Sequence, residues 1–136
     1  MKKLNFLLPA LALSLLFGSA SCQQTTQNKD AAVISVESQE FKKLVDAKEG
    51  VLLDVRTPEE FNEGHIPGAI NIDFRSENFK AELEKLDKTK TYEVYCRSGK
   101  RSSSSAEIME GMGFKKVINL SGGILGWQEK GYEVVN

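Results

Sequence analysis

The sequence has little of what several classes of protein require. It contains one histidine and two cysteines in 136 residues, too few for a protein-built zinc site or a disulfide-stapled mini-protein. Its 18 basic and 19 acidic side chains leave no positive excess of the kind that binds nucleic acid through its phosphates. What remains, 40% hydrophobic and 27% charged residues, is the composition of one ordinary globular domain.

Residues 1–21 have the pattern of a secretory signal peptide. Lys2 and Lys3 supply a positive start, and residues 4–17 form an apolar run. That run is shorter than the roughly 20 residues that a membrane-spanning helix needs, but it suits the apolar region of a signal peptide. Small residues follow at positions 18–21. We therefore expect export, with residues 1–21 removed from the mature protein.

The small residues end at Cys22, and this arrangement resembles a bacterial lipoprotein signal. The resemblance implies lipidation of Cys22 and a protein anchored on the periplasmic side of the cell envelope. The usual signal has an aliphatic residue three places before the cysteine, where this chain has Ser19. Ordinary cleavage, for instance after Ala20, is the alternative. Residues 22–30 are polar and predict a flexible tether.

Residues 31–136 predict one α/β domain. Short apolar or β-branched runs alternate with helical patterns, which is typical of a layered fold with a mainly parallel central sheet. The run at residues 51–55 indicates a strand buried on both faces, and hence helices on both sides of the sheet. The predicted strands are residues 33–36, 51–55, 69–72, 91–95 and 117–120. The predicted helices begin at Ser38, at the Thr57–Glu60 capping box, at Ser76 and at Ser102, with a short one around Trp127.

The segment between the fourth strand and the following helix has the properties of a nucleophilic anion site. The helix directs free N–H groups and the positive end of its dipole toward the loop. Three cations lie within five residues of a cysteine, and both effects favour the reactive thiolate. A glycine permits the loop to curl and to direct its amides inward. The residues are Cys96, Arg97, Ser98, Gly99, Lys100, Arg101 and Ser102.

A plainer interpretation is a buried structural cysteine followed by a basic surface turn. It accounts for Cys96 but not for three cations and a glycine beside it. If Cys22 is acylated, Cys96 has no partner for a disulfide. An unpaired thiol in an oxidising compartment calls for burial or chemistry.

The motifs of the domain resemble those of a single-domain rhodanese. The loop is similar to that family's catalytic loop, in which cysteine, four residues, arginine and then serine or threonine follow one another. The resemblance extends over nearly all of residues 33–135, with the motifs in the family's order. They are Leu53-Asp54-Val55-Arg56, Glu60-Phe61, Gly64-His65-Ile66-Pro67-Gly68-Ala69, Asn71-Ile72, Asn119-Leu120-Ser121-Gly122-Gly123-Ile124 and Gly126-Trp127.

This resemblance implies a rhodanese-like fold and a sulfurtransferase. Cys96 would take a sulfane sulfur from an anionic donor such as thiosulfate and hold it as a persulfide, cradled by the N–H groups of residues 97–102. Arg101 would brace the loop and help to bind the donor. The acceptor would be cyanide in vitro and a thiol or protein thiol in the cell. No metal and no organic cofactor are implied, and a monomer is the default.

Two other functions stay open at this point. One is a catalytically idle rhodanese-like module that binds a partner in the cell envelope. The other is a phosphatase or oxyanion reductase, although the related phosphatases have one more residue between cysteine and arginine. His65, the only histidine, is expected to be structural. Asp54 and Arg56 are expected to stabilise the next loop, with Arg56 pairing to Glu60.

Overall fold

The computed structural model describes residues 32–136, which form five strands and five helices. All pairings between strands are parallel, in the order β1-β5-β4-β2-β3. The strands are β1 (Val33–Val36), β2 (Val51–Asp54), β3 (Ile70–Asn71), β4 (Thr91–Tyr95) and β5 (Lys116–Leu120). The helices are α1 (Ser38–Ala47), α2 (Pro58–Glu63), α3 (Phe79–Glu84), α4 (Lys100–Gly111) and α5 (Gly123–Glu129).

The sheet has a separate hydrophobic cluster on each face, because successive side chains of a strand point to opposite sides. On one face, Leu53 and Val94 pack with residues of α3 and α4, among them Met109. On the other face, Phe41 of α1 and Trp127 of α5 belong to the second cluster. The predicted layered fold, with a parallel sheet and helices on both faces, is therefore confirmed.

Several predicted boundaries shift by a few residues. Helix α1 begins at Ser38, but its N-cap is Glu37. The third predicted helix loses its first residues because the chain at Ser76 forms turns, with the Phe79 N–H bonded to the Ser76 carbonyl. Helix α4 begins at Lys100, two residues earlier than predicted, so the end of the cysteine loop is already helical.

The predicted signal peptide, the tether and Cys22 lie outside the described residues. Between residues 32 and 136, no helix combines the length and the apolar character needed to cross a membrane.

Candidate active site

Cys96 follows β4, the central strand of the sheet, and lies where β4 meets the loop that precedes α4. Its side chain is 1% exposed and belongs to the hydrophobic cluster on the α3 and α4 face. It is the only free cysteine of residues 32–136. The fold therefore places a buried thiol at the carboxyl end of a parallel sheet, where such folds bind ligands.

Two hydrogen bonds from the loop reach the Cys96 sulfur. The Gly99 N–H donates to Sγ at 3.1 Å, and the Ser102 hydroxyl donates at 3.4 Å. Burial raises the pKa of the Cys96 thiol, but hydrogen bonds from Ser102, Gly99 and Ser98 outweigh burial and hold the pKa below its ordinary value. The loop is therefore built to stabilise a thiolate.

Gly99 gives the loop its shape. Its φ of 100° lies in the left-handed region that favours glycine. A Cβ atom at this position would also collide with the carbonyl oxygen of Ser121, which follows β5. The prediction that Gly99 allows the loop to curl is confirmed, and the close approach of Ser121 is a second reason for glycine there.

The start of α5 supports the loop from behind. The N–H of Ile124 donates to the Cys96 carbonyl at 2.8 Å, and the N–H of Leu125 donates to the Arg97 carbonyl at 3.2 Å. Gly123 lies so close to the loop that a Cβ there would collide with the Arg97 carbonyl group. The sequence motifs did not predict the contact between Gly123 and the loop. The Gly122-Gly123 pair could have indicated it, because glycine often marks a place where another backbone approaches closely.

Arg101 is held by Glu60 of α2. Its two terminal nitrogens donate to the two carboxylate oxygens at 2.7 and 2.8 Å, in the paired geometry that gives strong ionic hydrogen bonds. This bond lowers the pKa of Glu60 to about 2, and the same carboxylate raises the pKa of Arg101. Glu60 also accepts from the N–H of Thr57 in the predicted capping box, which is confirmed. One carboxylate therefore links the start of α2 to the cysteine loop.

The predicted pairing of Arg56 with Glu60 is wrong. Arg56 instead binds Asp54, with donor–acceptor distances of 2.6–3.0 Å, and also donates to the Gly64 carbonyl at 2.7 Å. Both side chains are buried, with 6% and 0% exposure. A buried guanidinium is costly without a carboxylate beside it, and the partly exposed Glu60 is paired with Arg101 instead. The broader expectation, that this ion pair stabilises the next loop, agrees with the bond to Gly64.

Asp54 also interacts with Tyr95, the residue before Cys96. Burial, and then the Asp54 carboxylate, raise the pKa of Tyr95, so its phenol stays protonated. The Tyr95 hydroxyl accepts the N–H of Ile66 at 3.0 Å. The buried network of Asp54, Arg56 and Tyr95 thus holds the carboxyl ends of β2 and β4 in place.

His65 has a structural setting. Its Nδ1 lies 3.0 Å from the Phe61 carbonyl oxygen, and its ring stacks on the Phe61 ring with centroids 3.8 Å apart. Its backbone forms two hydrogen bonds with Val135 near the chain end. These contacts agree with the structural role expected for His65.

The other predicted binding residues divide into two groups. Arg97, Ser98 and Lys100 are exposed, and Ser102 is buried against the sulfur. A cavity of about 240 Å³ opens beside the loop. Its lining includes Arg56, Glu60, Glu63, Arg97, Leu125 and Gln128. Of the predicted binding residues, Arg97 therefore lines this cavity, together with the acids Glu60 and Glu63.

Comparison with known proteins agrees with this geometry. The family model described as the rhodanese-like domain matches residues 37–130. The chain belongs to the rhodanese-like family. A crystal structure of a rhodanese-related protein from Thermoplasma volcanium superposes with a TM-score of 0.66 at 33% identity, covering 74% of this chain and 96% of that one. The rhodanese-like fold expected from the motifs is therefore confirmed.

Two curated rhodanese relatives are named as sulfurtransferases. A sulfurtransferase of Allochromatium vinosum is 32% identical over 94 residues, which cover 69% of this chain and 86% of that protein. The thiosulfate sulfurtransferase PspE of Escherichia coli is 37% identical over 70 residues, which cover 52% of this chain and 67% of that protein. This rhodanese-like domain therefore has sulfurtransferase homologues.

Proposed function

We propose that the protein is an exported sulfurtransferase that carries a sulfane sulfur on Cys96 between an anionic donor, such as thiosulfate, and a thiol acceptor. The observation that carries this proposal is the pair of hydrogen bonds from Gly99 and Ser102 to the Cys96 sulfur. They stabilise a thiolate inside a loop of inward-facing amides, and the names of the relatives favour sulfur as the group transferred.

In the first half-reaction, the Cys96 thiolate attacks the outer sulfur of thiosulfate. A new S–S bond forms to Cys96, the sulfur–sulfur bond of thiosulfate breaks, and sulfite leaves with the electron pair. The product is an anionic persulfide that keeps the negative charge of the original thiolate. The N–H groups of residues 97–102, which form the loop and the first residues of α4, would stabilise that charge because a helix N-terminus favours anions.

In the second half-reaction, the acceptor attacks the outer sulfur of the persulfide. Cyanide would take up this sulfur and become thiocyanate, and an acceptor thiolate would become a persulfide. In both cases the Cys96 thiolate is regenerated, so no metal or redox cofactor is required. The exposed Arg97 and Lys100 would attract the anionic donor, because Arg101 is already bound to Glu60.

The decisive test is thiocyanate formation from thiosulfate and cyanide. The full-length wild type should be active, and Cys96→Ser should lose activity about a thousandfold or more, as expected when a nucleophile is removed. Cys22→Ser, which changes the other cysteine, is the matched control and should keep wild-type activity in detergent. An inactive, folded wild type would overturn thiosulfate as the donor.

Mass spectrometry distinguishes the enzyme from an idle binding module. After treatment with thiosulfate, the wild type and Cys22→Ser should gain the mass of one sulfur atom on Cys96, and cyanide should remove it. A folded protein that never gains this mass with thiosulfate or with other sulfane donors is better explained as a binding module.

Export and lipidation are tested separately from the chemistry. In bacterial cells, the full-length protein should fractionate with the membrane and carry acyl chains on Cys22. Cys22→Ser should be found in the periplasmic fraction or remain unprocessed. A mature protein that begins after Ala20 without a lipid would support ordinary cleavage, and a cytoplasmic protein would contradict export.

A further inference from the structure

A second cavity lies on the face of the sheet opposite Cys96. Its volume is about 490 Å³, which is within the range of pockets that hold small organic ligands. Its apolar wall includes Val45 of α1, Leu52 of β2, Ile66 and Trp127 of α5. These four residues belong to the hydrophobic cluster of that face, or pack against it, whereas Cys96 belongs to the other cluster.

A buried carboxyl group without a partner lines this cavity. Glu93 occupies the middle of β4 and is only 2% exposed. Among residues 32–136, no hydrogen bond or ion pair is found for its side chain. A Cβ atom added to Gly50, which also lines the cavity, would lie 2.7 Å from Glu93 Oε1, so this oxygen is next to the cavity wall. Among residues 32–136, the fully enclosed side-chain oxygen without a partner is Asn119 Oδ1, so the Glu93 carboxyl oxygens keep access to open space, and Glu93 lines this cavity.

The charges around the cavity favour a positive ligand. Lys42 is already neutralised by Asp46, with Nζ and a carboxylate oxygen 2.7 Å apart. Of the remaining charged lining residues, Lys48 is basic, whereas Glu93 and Glu133 are acidic. Glu49, next to Lys48 in the chain, adds its negative charge to the surroundings of Glu93. The acidic groups that face the cavity therefore outnumber the basic ones.

We infer that this cavity binds a small organic cation whose ammonium or amidinium group pairs with Glu93 and whose apolar body packs against Trp127. An ammonium ion would supply the hydrogen-bond donors that Glu93 lacks, and burial would strengthen the pairing. The wall of Val45, Leu52, Ile66 and Trp127 would bury the hydrocarbon part. A purely apolar molecule would leave the carboxyl group unpaired, and an anion would make ionisation of Glu93 still less favourable.

The proton balance of Glu93 agrees with this site. Burial, and then the charge of Glu49, raise the pKa of Glu93, so the carboxylate form is less favourable in the empty cavity than it is in water. A bound cation favours the carboxylate, and the displaced proton goes to solvent. Binding is therefore expected to strengthen as the pH rises. The other titratable groups that line the cavity are Lys42, Asp46, Lys48 and Glu133, and Glu49 acts on Glu93 through its charge.

Trp127 provides a direct readout because it is the only tryptophan in the sequence and lines the cavity. The probe is phenethylammonium, titrated into the full-length protein while tryptophan fluorescence is recorded. We expect a saturable change, with affinity about tenfold or more above that of the neutral isostere phenethyl alcohol, since hydrogen bonds to charged groups are the strong ones. No saturable change, or equal affinity for the alcohol, would overturn the inference.

Two variants separate this site from general binding to the surface. Glu93→Gln keeps the shape and removes the charge, and it should weaken phenethylammonium about tenfold without weakening the alcohol. Glu110→Gln removes an exposed acid on α4, on the other face of the sheet, and should bind like the wild type. Equal affinity of Glu93→Gln and the wild type for phenethylammonium would contradict the role of Glu93. Because Cys96 is not involved, the outcome does not depend on the sulfurtransferase activity.

Discussion

Two buried carboxylates on neighbouring strands have opposite surroundings. Asp54 ends β2 and Glu93 lies in the middle of β4, and the two strands pair with each other. Asp54 is 0% exposed and accepts hydrogen bonds from the Arg56 side chain and backbone, whereas Glu93 is 2% exposed and has no such partner among the described residues. The first carboxylate completes a network, and the second is left available to a ligand.

The difference between Asp54 and Glu93 shows that burial alone does not identify a functional acid. Whether the buried acid has a partner must be considered as well. A buried charge is costly unless it is paired, and a paired one becomes costly when its partner is removed. Asp54 therefore contributes to the positioning of the loop that follows β2. An ionised Glu93 would lower the stability of the folded protein when the cavity is empty. Destabilising groups of this kind are often found at sites that bind a ligand.

The largest expected loss of stability comes from removing the carboxylate of Asp54, which is paired with Arg56. Asp54→Asn would leave the Arg56 guanidinium buried without a carboxylate, so we expect the free energy of unfolding to fall by about 3–5 kcal/mol. Urea unfolding at pH 7, monitored by circular dichroism, measures this change. The double variant Asp54→Asn/Arg56→Gln should lose less than the single one, because no unpaired charge remains. Equal losses would mean that Asp54 does not neutralise Arg56.

A smaller effect is expected at Glu60, which is half-buried and binds Arg101. Glu60→Gln removes the charge that holds Arg101 beside the loop, so we expect a loss of about 1–2 kcal/mol in stability and roughly a tenfold lower kcat/KM. Thiocyanate formation and urea unfolding provide the two measurements. Glu59→Gln, which changes the exposed neighbouring acid of α2, should change neither.

The pH dependence of stability identifies the charge as the cause. The pKa of Glu60 is about 2 in the folded protein against an ordinary 4.5. A lowered pKa stabilises the folded state above the ordinary value, and this contribution is lost as the pH falls from 4.5 toward 2. Glu60→Gln should lack this part of the acid destabilisation, whereas Glu59→Gln should keep it. Identical acid profiles for Glu60→Gln and the wild type would contradict the assignment.

The smallest effect, and one of opposite sign, is expected at Glu93. Its pKa is raised above the ordinary 4.5, so ionisation above that value favours the unfolded state and stability falls as the pH rises through the folded pKa. Glu93→Gln should remove this fall. Near pH 8, we expect Glu93→Gln to raise the free energy of unfolding by about 1 kcal/mol. Below pH 4 we expect no gain, because the variant then replaces one neutral, unpaired polar group with another. Urea unfolding at both pH values tests this, and a loss at pH 8 would show that Glu93 has a partner in the folded protein.

Local patterns were sufficient for much of the site. The Thr57–Glu60 capping box, the strand that leads to Cys96 and the glycine that curls its loop involve residues only a few positions apart. Their conformations depend on backbone sterics and on hydrogen bonds between near neighbours, which the same residues form in many contexts. The layered fold followed from the alternation of strand and helix patterns.

Contacts between distant segments were decided by the tertiary structure. Glu60 and Arg101 are 41 positions apart, and no spacing rule connects them. Arg56, expected to pair with Glu60, binds Asp54 instead, and both side chains of that pair are buried. The close packing of Gly123 on the cysteine loop is likewise a contact between segments joined only by folding.

Glu93 shows the same limit most clearly. In the run Thr91–Tyr95, a charged residue between two large apolar ones is typical of a strand with one face in solvent. The helices of this fold cover both faces, and the carboxyl group is buried beside a cavity as a result. The sequence by itself determined the chemistry available at each strand end and loop. Only the packing of the layers decided which charged groups are paired and which face an open space, because burial and pairing depend on neighbours that are far apart in the chain.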